Sequence, residues 1–131
     1  MIIAGIYSFN RGKEIIYAQN AIEYKEVEQV IASVDSVQCK TKTSYEKTMP
    51  GRTLYSPRAL NRAFKQEFES RGWNSYKVRC DYDDKHYVAD YTPKTVTKGA
   101  FREIDFVKER TGVEVQFGKY VFLWSTTFAQ R

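Results

Sequence analysis

The chain has 131 residues, 42% hydrophobic and 15% aromatic, with a net charge of +5 and a pI near 9.2. That length and composition suit one compact domain over residues 1–131 and exclude a disordered chain or a pair of full-sized domains. No apolar run reaches the length of a membrane span and no secretion signal opens the chain, while the positive balance favours a polyanionic partner.

In chain order, Met1 to Phe9 is apolar and β-branched enough for a strand, ended by a turn at Asn10-Arg11-Gly12. Glu14 to Ala18 fits either a second strand or the entry to a helix. Between Ala21 and Ser33, Ile22, Val27, Val30 and Ile31 recur at helical spacing, with Glu23, Lys25, Glu26 and Glu28 elsewhere. This predicts an amphipathic helix packed on a sheet. Lys40 to Arg52 is polar, with Lys40, Lys42, Lys47 and Arg52 among threonines and a turn at Pro50-Gly51. By composition it is either a solvated loop or a set of phosphate contacts.

Ser56-Pro57 opens the best-marked helix, because serine accepts a backbone N–H and proline at the first helical position loses no hydrogen bond. Leu60, Ala63, Phe64 and Phe68 form its core stripe, and Arg71-Gly72 closes it. Trp73 to Tyr82 reads as strand, Asp81 to Lys85 as a turn, and His86 to Tyr91 as a return to alternation. The three aspartates of that turn lack the glycine and terminal glutamate of a calcium loop. His86, the sole histidine, has no set of further ligands and is read as structural or surface. Pro93 to Ala100 is a basic, threonine-rich connector. Cys39 and Cys80 have no metal-type spacing; they form either a disulfide or, as a reducing cytoplasm favours, two free buried thiols.

Glu103 to Phe117 reads as two short strands around a polar turn. Ile104 and Phe106 alternate with polar residues on the first arm, as do Val113, Val115 and Phe117 on the second, and Gly112 is available for a positive φ in the turn. Pairing symmetric about the Glu109–Arg110 bond sets Asp105 opposite Glu114, Glu103 opposite Gln116, Phe106 opposite Val113 and Ile104 opposite Val115. One face is then apolar and the other acidic. Two close carboxylates repel unless a cation lies between them or one takes up a proton, and a hard divalent ion is the simplest remedy. An acidic ribbon facing only water shares the same pattern.

Ile104-Asp105-Phe106 with Val113-Glu114-Val115-Gln116-Phe117-Gly118-Lys119-Tyr120 resembles the active-site core of type II restriction endonucleases of the BstYI and BglII type, which cut duplex DNA at GATC-centred sites. Asp-x8-Glu-x-Gln is their variant of the PD-(D/E)xK nuclease motif. The similarity extends through Cys39-Lys40-Thr41-Lys42, Glu46-Lys47-Thr48, Leu54-Tyr55-Ser56-Pro57, Ala59-Leu60-Asn61 and Ala63-Phe64-Lys65 to Gly72-Trp73.

The resemblance implies an α/β (α+β) class with a restriction-endonuclease-like core, a mixed β-sheet carrying the active-site hairpin between helices. It implies Asp105, Glu114 and Gln116 as catalytic residues, and Mg²⁺ (with Mn²⁺ able to substitute) on Asp105, Glu114 and the carbonyl of Val115. Glu103 ranks below these. Gln116 cannot serve as a base at physiological pH but can orient water or donate to a phosphate. Lys119 and Gly118 fall where the relatives approach the bases, and Lys40, Lys42 and Lys47 where they hold phosphates. The partners implied are double-stranded DNA and a second subunit in a cytoplasmic homodimer, with no membrane. In these relatives considerable chain follows the Glu-x-Gln strand, whereas here Arg131 comes soon after. A DNA-binding remnant without cleavage is therefore an alternative expectation, and an acid-faced interaction module without nucleic acid is a third.

Overall fold

The computed structural model describes residues 1–80, 87–91 and 100–117. Helices α1 (Gly12–Gln19) and α2 (Ala21–Ser33) lead through a 3-10 turn at Val37–Cys39 to a small ladder of β1 (Lys42–Thr43) and β2 (Thr53–Leu54). Helix α3 (Pro57–Glu69) follows, then strands β3 (Asn74–Arg79), β4 (Phe101–Lys108) and β5 (Thr111–Val113), which form a sheet in the order β3-β4-β5. The architecture is α+β, and every pairing among the described residues is antiparallel.

Helix α3 forms as its sequence predicts. Ser56 Oγ accepts the Ala59 N–H at 3.2 Å, Pro57 occupies the first turn, and Gly72 just past the end takes φ +81°. Leu60, Phe64 and Phe68, spaced by four, are all buried. They meet Val30 of α2, Val34 just past its end, Cys39, Trp73 and Phe106 in one core. Phe68 stacks on Phe106 with centroids 4.4 Å apart and meets Trp73 edge-on at 5.4 Å, while Phe64 lies 5.7 Å from Phe117. Each such ring contributes about 1.5–3 kcal/mol by leaving water. The core therefore fastens the hairpin to α3.

A polar lock completes the attachment. Glu26 of α2 accepts Lys108 Nζ at 2.7 and 2.8 Å and Trp73 Nε1 at 2.9 Å, and Lys108 also donates to the Arg71 carbonyl at 2.9 Å. It joins α2, the turn after α3 and the last residue of β4. The hydrogen bond from Lys108 is the main reason the Glu26 carboxyl is held below the usual glutamate range; burial opposes it, and the Trp73 N–H adds to it.

Several local expectations change. Met1 to Phe9 forms no strand, and no ladder among the described residues meets it; its amino terminus donates to the Val34 carbonyl at 2.7 Å. Glu14 to Ala18 resolves as helix, within α1. Ile22 stays on the surface, whereas Val30 is fully buried and Val27 and Ile31 are half-buried. Tyr87 to Tyr91 is a turn rather than a strand, closed by Tyr91 N–H on the Val88 carbonyl. His86, the Asp81–Lys85 turn and most of the 93–100 connector lie outside the described residues. Cys39 and Cys80 are free thiols.

The hairpin turn is tighter than its glycine suggested. Lys108 pairs with Thr111, leaving Glu109 and Arg110 as a two-residue loop with φ of 44° and 70°. Gly112 lies in β5, opposite Val107. Two positive φ values match the twist of the strands, but neither residue type favours them. Asn suits this conformation better than Glu, so Glu109→Asn is expected to stabilise the fold by about 0.5–1 kcal/mol. The urea midpoint at neutral pH is the measurement, and no rise would show that the turn stores no such strain.

Candidate active site

The acidic residues gather where the hairpin ladder breaks. Phe106 pairs with Val113, as symmetric pairing about Glu109–Arg110 requires, and β5 ends there. On the other side of β4, Asn74 pairs with Val107 but Tyr76 with Ile104, so Ser75 alone faces both Asp105 and Phe106. This extra β4 residue is a β-bulge, a device that re-aims a side chain.

The bulge interrupts the alternation read from the sequence. Phe106 enters the core with Val113, Val115 and Phe117 packed beside it, but Ile104 does not join them. Ile104 Cγ2 instead lies where a Cβ on Gly112 would come within 3.4 Å, on the face shared by Gly112 and Val107. Ile104 therefore leaves the apolar face to which simple alternation assigned it. Asp105 falls on the opposite side, with Glu103 and Phe106.

Asp105 is then anchored by the second arm. In an uninterrupted ladder Val115 would pair with Ile104. Here the Val115 N–H donates to Asp105 Oδ2 at 2.9 Å, so a carboxylate replaces the missing backbone acceptor. Glu114 is exposed as a residue, but its carboxyl lies against that of Asp105. Loss of hydration there, followed by the like charge of Asp105, holds the Glu114 carboxyl above the usual glutamate range. Gln116, two residues on, is exposed, while Val115 between them is half-buried against the core.

Among the described residues, no third Asp, Glu, His or Cys joins this pair in a metal-binding group. Glu103 lies beside Lys77 of β3, with Lys77 Nζ 3.7 Å from its Oε2. Two carboxylates suit Mg²⁺, which keeps several waters and is commonly held by one or two acids together with a phosphate. The repulsion that raises Glu114 is also what a divalent cation between the acids would remove. The donor set thus fits such an ion.

The remaining predicted residues are spread more widely. Lys42 is on β1, Lys47 is in the turn beyond it, and Lys40 precedes them with its Nζ 5.9 Å from the Tyr55 ring centre. All three lysines are exposed. Gly118 and Lys119 lie outside the described residues. A broad cleft of about 850 Å³ between the α1–α2 junction and the hairpin turn includes neither Asp105 nor Glu114. Glu114 is exposed and Asp105 half-buried. Sequence reading missed Lys77. Its spacing with Ser75 and Arg79 was visible, but only the β3–β4 register sets it opposite Glu103.

This α+β framework, with paired acids on a hairpin backed by helices, is compatible with the restriction-endonuclease-like class. The family model for restriction endonuclease BglII/BglIII matches residues 4–129, and the chain belongs to that family. Membership makes it a DNA-binding nuclease of the restriction-enzyme kind. Comparison with curated proteins gave no match. No helix among the described residues is long and apolar enough to cross a membrane.

Proposed function

We propose that the chain is a Mg²⁺-dependent type II endonuclease that hydrolyses phosphodiester bonds of duplex DNA within a GATC-centred palindrome. It acts in the cytoplasm as a homodimer whose two-fold axis matches that of the site, each subunit cutting one strand. The observation that carries this reading is the Asp105–Glu114 carboxyl pair at the β4 bulge. Family membership supports duplex DNA as the substrate.

When bound, a divalent cation there supplies charge to the phosphoryl oxygens and lowers the pKa of water. Asp105 and Glu114 would hold it, joined by the Val115 carbonyl, and Mn²⁺ could take its place. The Val115 N–H fixes the Asp105 carboxylate in advance, so little ordering is left for the bound state. Gln116 carries neither the charge nor the basicity of a lysine; its amide orients water or donates to a phosphate oxygen. Lys40, Lys42 and Lys47 contact the backbone, and Gly118 and Lys119 approach the bases.

The test is incubation of the purified chain with plasmid and Mg²⁺, followed by sequencing of product ends. Ends within GATC-centred sites support the proposal. Salt-sensitive binding without nicks would instead identify a non-cleaving DNA-binding protein, and the absence of binding at low salt would remove the nucleic-acid role.

A further inference from the structure

We infer that Lys77 is a positioning residue that grips a backbone phosphate of the DNA strand laid across Asp105 and Glu114. The inference rests on the nuclease reading of that acid pair and adds a residue outside the family-like motif. Lys77 lies directly opposite Glu103 in the β3–β4 ladder, and Glu103 precedes Asp105 by two residues on the same face. Directly opposed side chains have Cβ atoms roughly 4.5–5.5 Å apart, so register brings an ammonium to the acidic surface.

Its surroundings hold it without using it up. Lys77 Nζ stands 4.7 Å from the Phe101 ring centre and 3.7 Å from Glu103 Oε2. The ring and the carboxylate restrict the sweep of a flexible side chain, yet the second distance is too long for a hydrogen bond. The side chain remains 58% exposed, so its N–H donors can reach a phosphate oxygen. Arg79 follows on the same face, opposite Phe101 and about 6.7 Å further along the strand, and extends the positive edge.

The electrostatics give this cation a purpose. Glu103, Asp105 and Glu114 present negative charge to an approaching phosphodiester, and Gln116 offers no compensating charge. Lys77 supplies that attraction beside the acids, where it sets the register of the strand. A contact of this kind adds affinity and salt dependence without reading bases.

The experiment measures duplex binding by fluorescence anisotropy over a salt series without divalent cation, for the full chain, Lys77→Met and Lys77→Arg. Lys77→Met is expected to reduce the slope of log K against log salt by about 0.9 and to weaken binding about five- to tenfold near 0.1 M salt. Lys77→Arg restores both, and the melting temperatures agree because the ion pair is exposed. An unchanged slope in folded Lys77→Met overturns the inference; if that variant does not fold, Lys77→Gln supplies the same reading. A wild-type chain that binds no duplex at low salt removes this inference and the nuclease reading together. Loss of cutting in Asp105→Asn with an unaltered Lys77→Met slope removes only the role of Lys77, whereas a reduced slope in a chain that never cuts supports the contact and removes the nuclease reading.

Discussion

Asp105→Asn is expected to lower the rate of Mg²⁺-dependent DNA cleavage by about 10³-fold or more, the scale on which a catalytic cation acts. Asparagine keeps a side-chain oxygen that can accept the Val115 N–H, so the hydrogen bond spanning the bulge survives. It also ends the repulsion from Glu114. The variant should therefore fold and bind duplex DNA at least as well as the parent. Asp105→Ala removes the acceptor as well and is expected to cost about 1–3 kcal/mol of stability. Single-turnover cleavage with matched urea curves separates the effects. Full-rate cutting by Asp105→Asn would remove the carboxylate from the reaction.

The second large effect lies away from the acids. Glu26→Ala is expected to destabilise the fold by about 3 kcal/mol, because it leaves the N–H of the buried Trp73 without its acceptor and the half-buried Lys108 ammonium with only the Arg71 carbonyl. The loss should appear as a lower urea midpoint at pH 7. Glu26 has a depressed folded pKa, so its stabilisation is fully present above the unfolded value of about 4.3 and is lost as pH falls through the lower folded value. The gap between parent and Glu26→Gln should accordingly narrow in acid. A gap independent of pH would show that the Glu26 charge does not stabilise the lock.

Much of this could be read from the chain because local rules and tertiary packing agree. In α3, the serine cap, first-turn proline and four-residue spacing of Leu60, Phe64 and Phe68 all specify the same helix, and the core accepts that face. Phe106 opposite Val113 follows equally well from alternation about a central turn. Met1 to Phe9 shows the limit: β-branched residues can favour extension, but a strand needs a partner that composition cannot supply. Ile104 shows another, since its face depends on how β3 aligns with β4. The same dependence hid Lys77. The Asp-Glu pair was legible because both residues belong to one hairpin; their surroundings come from distant segments.

The inserted position in β4 makes the acidic centre a matter of counting as well as chemistry. Removing a single amino acid between Glu103 and Val107 would let the neighbouring strands align without interruption, as the displacement opposite Ser75 implies. It would also carry one carboxyl group away from its companion, though nearly every side chain remained in the gene. Descent in this lineage should thus tolerate exchanges of residue along the hairpin far more readily than changes in its length.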